Sequence, residues 1–214
     1  MIMTTPTEQI YGALETAYTH FNQDLFGTKL PSALITLQRK GPKTMGYFSP
    51  ERFLGRSNEK TTDEVAMNPM HFGRTLEETL ATFVHEMVHL WQKHFDKPSR
   101  GGYHNKDWAK KMKEIGLQPT DTGEPGGHVT GQSIQQYPIP GGLFAVSCSK
   151  LIDEGFELVW KEAVAQFDGS GIDTPVVEQK GRVRWICPTC SAKAWGKPSL
   201  ELKCAKCDLR LVRG

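Results

Sequence analysis

The 214-residue chain has no apolar run approaching the ~18 residues of a membrane-spanning helix. Its start, MIMTTPTEQIYGALETAYTH, shows no cationic head followed by a continuous apolar stretch, so no secretory signal is read there. A cytoplasmic location is expected, where thiols stay reduced. Internal repeats and low-complexity tracts are missing, which excludes solenoids and biased-composition tails. Cysteine is scarce, with five residues, and four of them fall in one short region rather than across a disulfide framework. Apolar residues make up 38% and charged residues 23%, a globular balance rather than a disordered or fibrous one. The length suits one domain with something smaller attached.

The net charge of +2 hides an uneven distribution. Residues 181–214 carry eight Lys and Arg against two acidic side chains, whereas residues 1–180 carry 18 against 22. A basic tail on a slightly acidic body suggests an anionic partner for the tail. The same tail holds Cys187-Pro-Thr-Cys190 and Cys204-Ala-Lys-Cys207, thirteen residues apart. In a reducing compartment that spacing reads as a zinc ribbon. Four thiolates leave no open position, so this metal is structural, and its binding supplies folding energy that ~34 residues of core cannot. Cys148 stands apart and reads as a buried thiol.

Residues 8–26 place Ile10, Leu14, Ala17, Tyr18, Phe21 and Leu25 at three- and four-residue steps, the pattern of an amphipathic helix. ALITLQR (33–39), MGYFSPERF (45–53) and DEVAMNP (63–69) read as short strands. Thr75-Leu-Glu-Glu78 is a capping box opening a helix whose apolar stripe runs from Leu76 to Phe95. NKDWAKKMKEIG (105–116) is a further helix. Residues 119–142 are dominated by Gly, Pro, Thr and Gln and read as a long loop. Residues 143–167 are apolar but do not choose between strand and helix, and 168–175 reads as a linker.

The chemistry gathers in HEMVHLWQKHFDKPSRGGYH (85–104). At about 100° per residue, His85 and His89 sit one turn apart on the face opposite the apolar stripe, whereas His94 falls among the stripe residues. Glu86 lies between the paired histidines in sequence, giving H-E-x-x-H on a helix. Two imidazoles leave zinc short of its usual four ligands, so a third donor is needed with one position kept for water. His104 is the candidate, because it follows Gly101-Gly102 and opens a new helix. Zinc held there lowers the pKa of water to roughly 7, and Glu86 is placed to take a proton from it. His20 and His71 read as structural or surface residues, and His128 as a residue of a mobile loop. Tyr103 is a candidate oxyanion stabiliser by its place beside His104.

HEMVH at 85–89 with GGYHNKDW at 101–108 resembles the SprT-like zinc metalloprotease family, which includes the Spartan protease. AYTHFNQDLFGTKLP before the strands and a WGKP segment inside the ribbon are similar to it too. The stretches PTDTGEPGGHVTGQ and YPIPGG resemble members from phages and mobile elements. The resemblance implies an α+β fold: a zincin-like metalloprotease domain with helices on a short sheet, then a small zinc ribbon. It implies zinc ligation by His85, His89 and His104, catalysis by Glu86, and cleavage of proteins trapped on DNA, with DNA as activator. A nucleoid-associated location follows if the source is bacterial.

The expected divisions are 1–118 for the protease domain, 119–180 for a loop and accessory segment, and 181–214 for the four-cysteine zinc ribbon. Two zinc ions are expected, one catalytic and one structural, the latter on Cys187, Cys190, Cys204 and Cys207. The ribbon reads as a DNA contact, single strands favoured, through Trp195, Arg184, Lys193, Lys197, Lys203 and Lys206, with rings to stack on bases and cations to neutralise phosphates. Trp185 reads instead as cover for the ribbon core. The rival readings are a nucleic-acid-binding adaptor without turnover and a zinc hydrolase that is not a protease.

Overall fold

Thr5 opens the first helix, α1 (Pro6–Phe26), with a reciprocal cap: its side chain accepts from the Glu8 N–H, and Glu8 accepts from the Thr5 N–H at 2.7 Å. Gly27 ends it in the left-handed conformation at φ 61°. The buried face of α1 runs through Ile10, Leu14, Ala17, Phe21 and Leu25. The structure, a computed structural model, describes residues 5–57, 59–162, 183–196 and 200–213. These fall into two units, within residues 1–163 and 164–214.

In the first unit, β1 (Leu34–Leu37), β2 (Gly46–Leu54) and β3 (Thr61–Met67) form a sheet of order β1-β3-β2. β3 lies in the middle, parallel to β1 and antiparallel to β2, and its second half is fully buried. β2 is an edge strand, with a register shift between Ser49 and Phe53. That shift spans Pro50, which has no N–H for a ladder, and Glu51 at φ 51°.

Thr75 and Glu78 cap α2 (Leu76–Phe95) reciprocally, as the capping-box reading expects. Ten consecutive residues, Thr79 to Val88, are buried. A surface helix buries one stripe, so α2 is a central helix covered on every side. The face opposite the apolar stripe is therefore buried too. The face carrying His85 and Glu86 is covered by further elements of the first unit, with His85 7% and Glu86 5% exposed. His94, read as a core or boundary residue, lies at the boundary. It sits at the solvent end of α2, with its side chain 36% exposed, and its Nε2 lies 2.6 Å from Asp63 of β3. The last turn of α2 overruns the core, so angular position on the helix no longer decides burial there.

α3 (Lys106–Glu114) starts at Asn105, whose side-chain oxygen accepts from the Trp108 N–H at 2.9 Å and from Gln92 of α2 at 2.8 Å. β4 (Leu117–Thr120) and β5 (Gln135–Pro138) pair antiparallel. The stretch read as a loop therefore has a strand at each end. α4 (Leu143–Asp153) resolves the ambiguous apolar stretch as helix over those residues, with Phe144, Cys148 and Leu151 in the same core as α1 and α2. Gly116 at φ 89° lets the α3–β4 turn meet the start of α4, since a Cβ there would lie 2.7 Å from the Leu143 nitrogen. Residues 163–167 and the linker read over 168–175 lie outside the described residues.

In the second unit, β6 (Val183–Ile186) pairs antiparallel with β7 (Lys193–Gly196) on one side and β8 (Val212–Arg213) on the other. Trp185 is buried and Trp195 is 61% exposed. Among the described residues no helix is long and apolar enough to cross a membrane. The fold is α+β, with a four-cysteine cluster near the end of the chain.

Candidate metal centres and catalytic cleft

His85, His89 and His104 each turn a ring nitrogen to one point, with these ligand atoms within 4.8 Å of one another. The first two arrive from consecutive turns of α2. His104 arrives from the α2–α3 connection, where it forms a two-way backbone bridge with Gly131. Trp108, fully buried, backs the cluster, its ring centroid 4.4–5.2 Å from all three imidazoles. This apolar wall keeps the rings neutral. Burial pushes the His85 pKa down to about 3, helped by His104 and opposed by the hydrogen bond to Gln136. Burial, then His85 and His104, lower His89 well below the usual histidine range. Burial lowers His104 as well, against the Gly131 carbonyl. Neutral imidazole is the form that ligates metal.

The hydrogen bonds decide which nitrogen is offered. His85 Nδ1 lies 2.8 Å from Gln136 Oε1, and His104 Nδ1 lies 3.1 Å from the Gly131 carbonyl oxygen. Both acceptors are oxygens, so each Nδ1 holds the proton and each Nε2 keeps its lone pair. The two Nε2 atoms stand 3.0 Å apart. Two lone pairs at that distance repel unless a cation lies between them, and burial resists a proton. Tetrahedral zinc with Zn–N of about 2.0–2.1 Å sets its nitrogens about 3.3 Å apart. The residues present fit such an ion.

Glu86 faces a cavity of about 930 Å³ lined by Met45–Phe48 of β2 and its approach, the histidines, Tyr103 and Gln132–Gln136. Burial pushes its pKa up to about 8, opposed by the Phe48 backbone N–H that donates to its carboxylate. A Cβ on Gly46 would lie 3.2 Å from Glu86 Oε1 and 3.0 Å from the Ala66 carbonyl oxygen. Glycine thus lets the edge strand close on the carboxylate. Sequence reasoning missed Gly46, Phe48, Gly131 and Gln136. Three of them act through backbone, and Gln136 is fifty-one positions from its partner.

The model of the SprT-like family matches residues 14–126, from α1 past β4, and so includes Glu86 and the three histidines. The chain belongs to the SprT-like family. That membership implies a metallopeptidase-type enzyme. A Salmonella typhimurium relative, described as the uncharacterized protein in the mucB 3′ region, is 48% identical over 60 residues, which is 28% of this SprT-like chain and 80% of the relative. No solved structure matches.

The ribbon of this SprT-like chain forms a second cluster. The sulfurs of Cys187, Cys190, Cys204 and Cys207 lie within 4.8 Å of one another, and all four cysteines are free thiols. Each pair sits on a tight turn: the Ser191 N–H donates to the Cys187 carbonyl at 2.9 Å, and the Asp208 N–H to the Cys204 carbonyl at 2.8 Å. Ser191 and Asp208 take φ 56° and 57° at matching places. Backbone N–H groups of Cys190 and Thr189 pull the Cys187 thiol down to about 6, while hydrogen bonds among the sulfurs push Cys207 up to about 12. The Cys187 thiolate forms readily while Cys190 and Cys207 resist, and the four gathered sulfurs fit a tetrahedral metal, whose sulfurs stand about 3.8 Å apart.

Register sets Arg184 opposite Trp195 and Ile186 opposite Lys193, so these four side chains share one sheet face. Arg184 and Lys193 are exposed there. Lys203 and Lys206 lie elsewhere, on the second cysteine turn, where Lys203 pairs with Asp208 at 2.5 Å. Lys197 lies outside the described residues. Of the remaining histidines, His20 bonds Ser147 at 2.9 Å between α1 and α4, His71 is half-buried in the turn after β3, and His128 is exposed, its N–H held by Asp121.

Proposed function

We propose that this chain is a zinc-dependent endopeptidase that acts on protein held at DNA and is stimulated by DNA. The observation that carries the protease reading is Glu86 buried beside three converging neutral imidazoles, at the open edge of β2. Zinc bound there would supply Lewis-acid activation of water and of a peptide carbonyl. β2 is an edge strand, so an extended peptide can pair with it and present its carbonyl to the cleft. The Glu86 carboxylate takes a proton from the attacking water and passes it to the leaving amine. The Phe48 N–H holds the Glu86 carboxylate in place for both transfers. Trp108 and the burial of the histidines keep the floor of the cleft dry.

The DNA part rests on the ribbon. An exposed Trp195 between Arg184 and Lys193 on an open sheet face offers stacking and phosphate neutralisation together. The same face favours a second reading, a nucleic-acid adaptor that holds metal without turnover. Cleavage of casein, histone and the chain itself separates them, with zinc, by wild type and Glu86→Gln, with and without single-stranded DNA. Wild-type cleavage raised by DNA and lost in Glu86→Gln supports the proposal. Cleavage indifferent to DNA keeps the protease and removes DNA activation. DNA binding with no cleavage by either protein supports the adaptor.

A further inference from the structure

Gln136, on β5, touches the metal cluster but takes no part in the chemistry proposed above. We infer that Gln136 is a positioning residue for the histidine metal centre: it holds His85 in the tautomer and orientation that present Nε2 to the ion. The inference rests on the metal-site part of the function proposed above.

The geometry is specific. Gln136 lies on β5, in register with Pro119 of β4, and its Oε1 reaches His85 Nδ1 at 2.8 Å. An imidazole buried against Trp108 with no acceptor at Nδ1 is free to carry its proton on Nε2, where the metal belongs. Accepting from Nδ1 removes that choice. His104 is fixed the same way, but by a backbone carbonyl, that of Gly131, five residues earlier on the same segment. The β4–β5 segment thus holds two of the three ligands, one through backbone and one through a side chain. Only the second is open to substitution.

A glutamine in this place has a chemical consequence. Its amide accepts from Nδ1 without adding a negative charge behind the imidazole, whereas a carboxylate would make the ligand more basic. The amide can also turn over. With its NH₂ toward Nδ1 it would donate, move the ring proton to Nε2 and block ligation. The amide must therefore stand as observed whenever metal is held.

The test is metal affinity of the full chain, which does not depend on proteolysis. Co²⁺ is the probe, because thiolate-to-cobalt charge-transfer bands mark the four-cysteine site and leave the weaker bands of the histidine site separable. Zn²⁺ then competes for the histidine site. Gln136→Ala is expected to lose about 10–100-fold in affinity at the histidine site, with the four-cysteine site unchanged. Gln136→Glu, which accepts from Nδ1 in the only way a carboxylate can, is expected to bind at least as tightly as wild type. Equal affinity of Gln136→Ala and wild type overturns the inference. So does a Gln136→Glu as weak as Gln136→Ala, since that pattern belongs to lost packing rather than lost orientation. Should Gln136→Ala fail to fold, the Gln136→Glu affinity decides alone: rescue or tightening supports the role, and weakening overturns it. Wild type that takes cobalt only at the cysteines removes the metal centre itself, and the protease reading with it.

Discussion

Glu86 is a buried acid with almost no water to ionise into. Its folded-state pKa of about 8 stands above the ordinary carboxyl value of 4.5. A raised pKa means that the metal-free fold has its full stability below pH 4.5 and loses it as pH rises through 8. Glu86→Gln cannot ionise, so in chelator it should be more stable than wild type at pH 8, by roughly 2–4 kcal/mol, and about equal to it at pH 4.5. His85 works in the opposite sense. Its folded-state pKa is depressed from 6.5 to about 3, so that contribution is lost as pH falls through this window, in wild type and variant alike. Denaturant midpoints of the two proteins at both pH values check this, and the ribbon contribution cancels in the difference. A gap that does not change with pH would mean that Glu86 is already ionised in the metal-free fold.

At the scale of elements, the site depends on three close approaches to α2. β2 comes near enough that Gly46 has no room for a side chain, α3 brings Trp108 against the imidazoles, and β5 brings Gln136. Gly46→Ala tests the first. Its Cβ would meet the Ala66 carbonyl oxygen at 3.0 Å and the Glu86 side chain at 3.2 Å, so either β2 or Glu86 must shift. The expected cost is about 1–3 kcal/mol of stability, with cleavage reduced and zinc affinity kept, because no ligand touches Gly46. Thermal unfolding and casein cleavage read the two effects. A variant with unchanged melting and unchanged cleavage would show that strand and carboxylate do not crowd each other. The element boundaries explain what was legible beforehand. The Thr75–Glu78 capping box marks its helix start in sequence, because a cap is a local interaction across three residues, whereas the Thr5–Glu8 box before α1 went unread. β4 and β5 were hidden in Gly- and Pro-rich chain, because their pairing closes over a 14-residue gap and follows from packing on α2 and α3.

At the scale of the whole molecule, charge and chemistry are divided between two units. The first holds the cleft and the second holds most of the excess positive charge. Removal of residues 181–214 should leave the histidine centre loaded and abolish most affinity for single-stranded DNA. For the full chain, that affinity should fall steeply between about 50 and 200 mM salt, in line with counterion release from a handful of phosphate contacts. Fluorescence anisotropy of a labelled oligonucleotide across a salt series measures both. Affinity unchanged by the truncation would move the nucleic-acid contact to the first unit.

What the sequence determined by itself is the set of donors and their local spacing. The four-residue step of His85 and His89 puts two imidazoles on one helix face whatever surrounds them, and two Cys-x-x-Cys turns bring sulfurs together over a few bonds of chain. His104 was readable because a glycine turn follows the helix. The tertiary structure decided everything that depends on what covers that helix face. His85 and Glu86 are buried, and His94 lies at the boundary against Asp63. Gln136 and the Gly131 carbonyl choose which ring nitrogen faces the metal point. The physical reason is range. Helix phase and turn geometry are fixed by neighbours a few residues away, whereas desolvation, pKa and tautomer are set by atoms that meet only when distant segments pack.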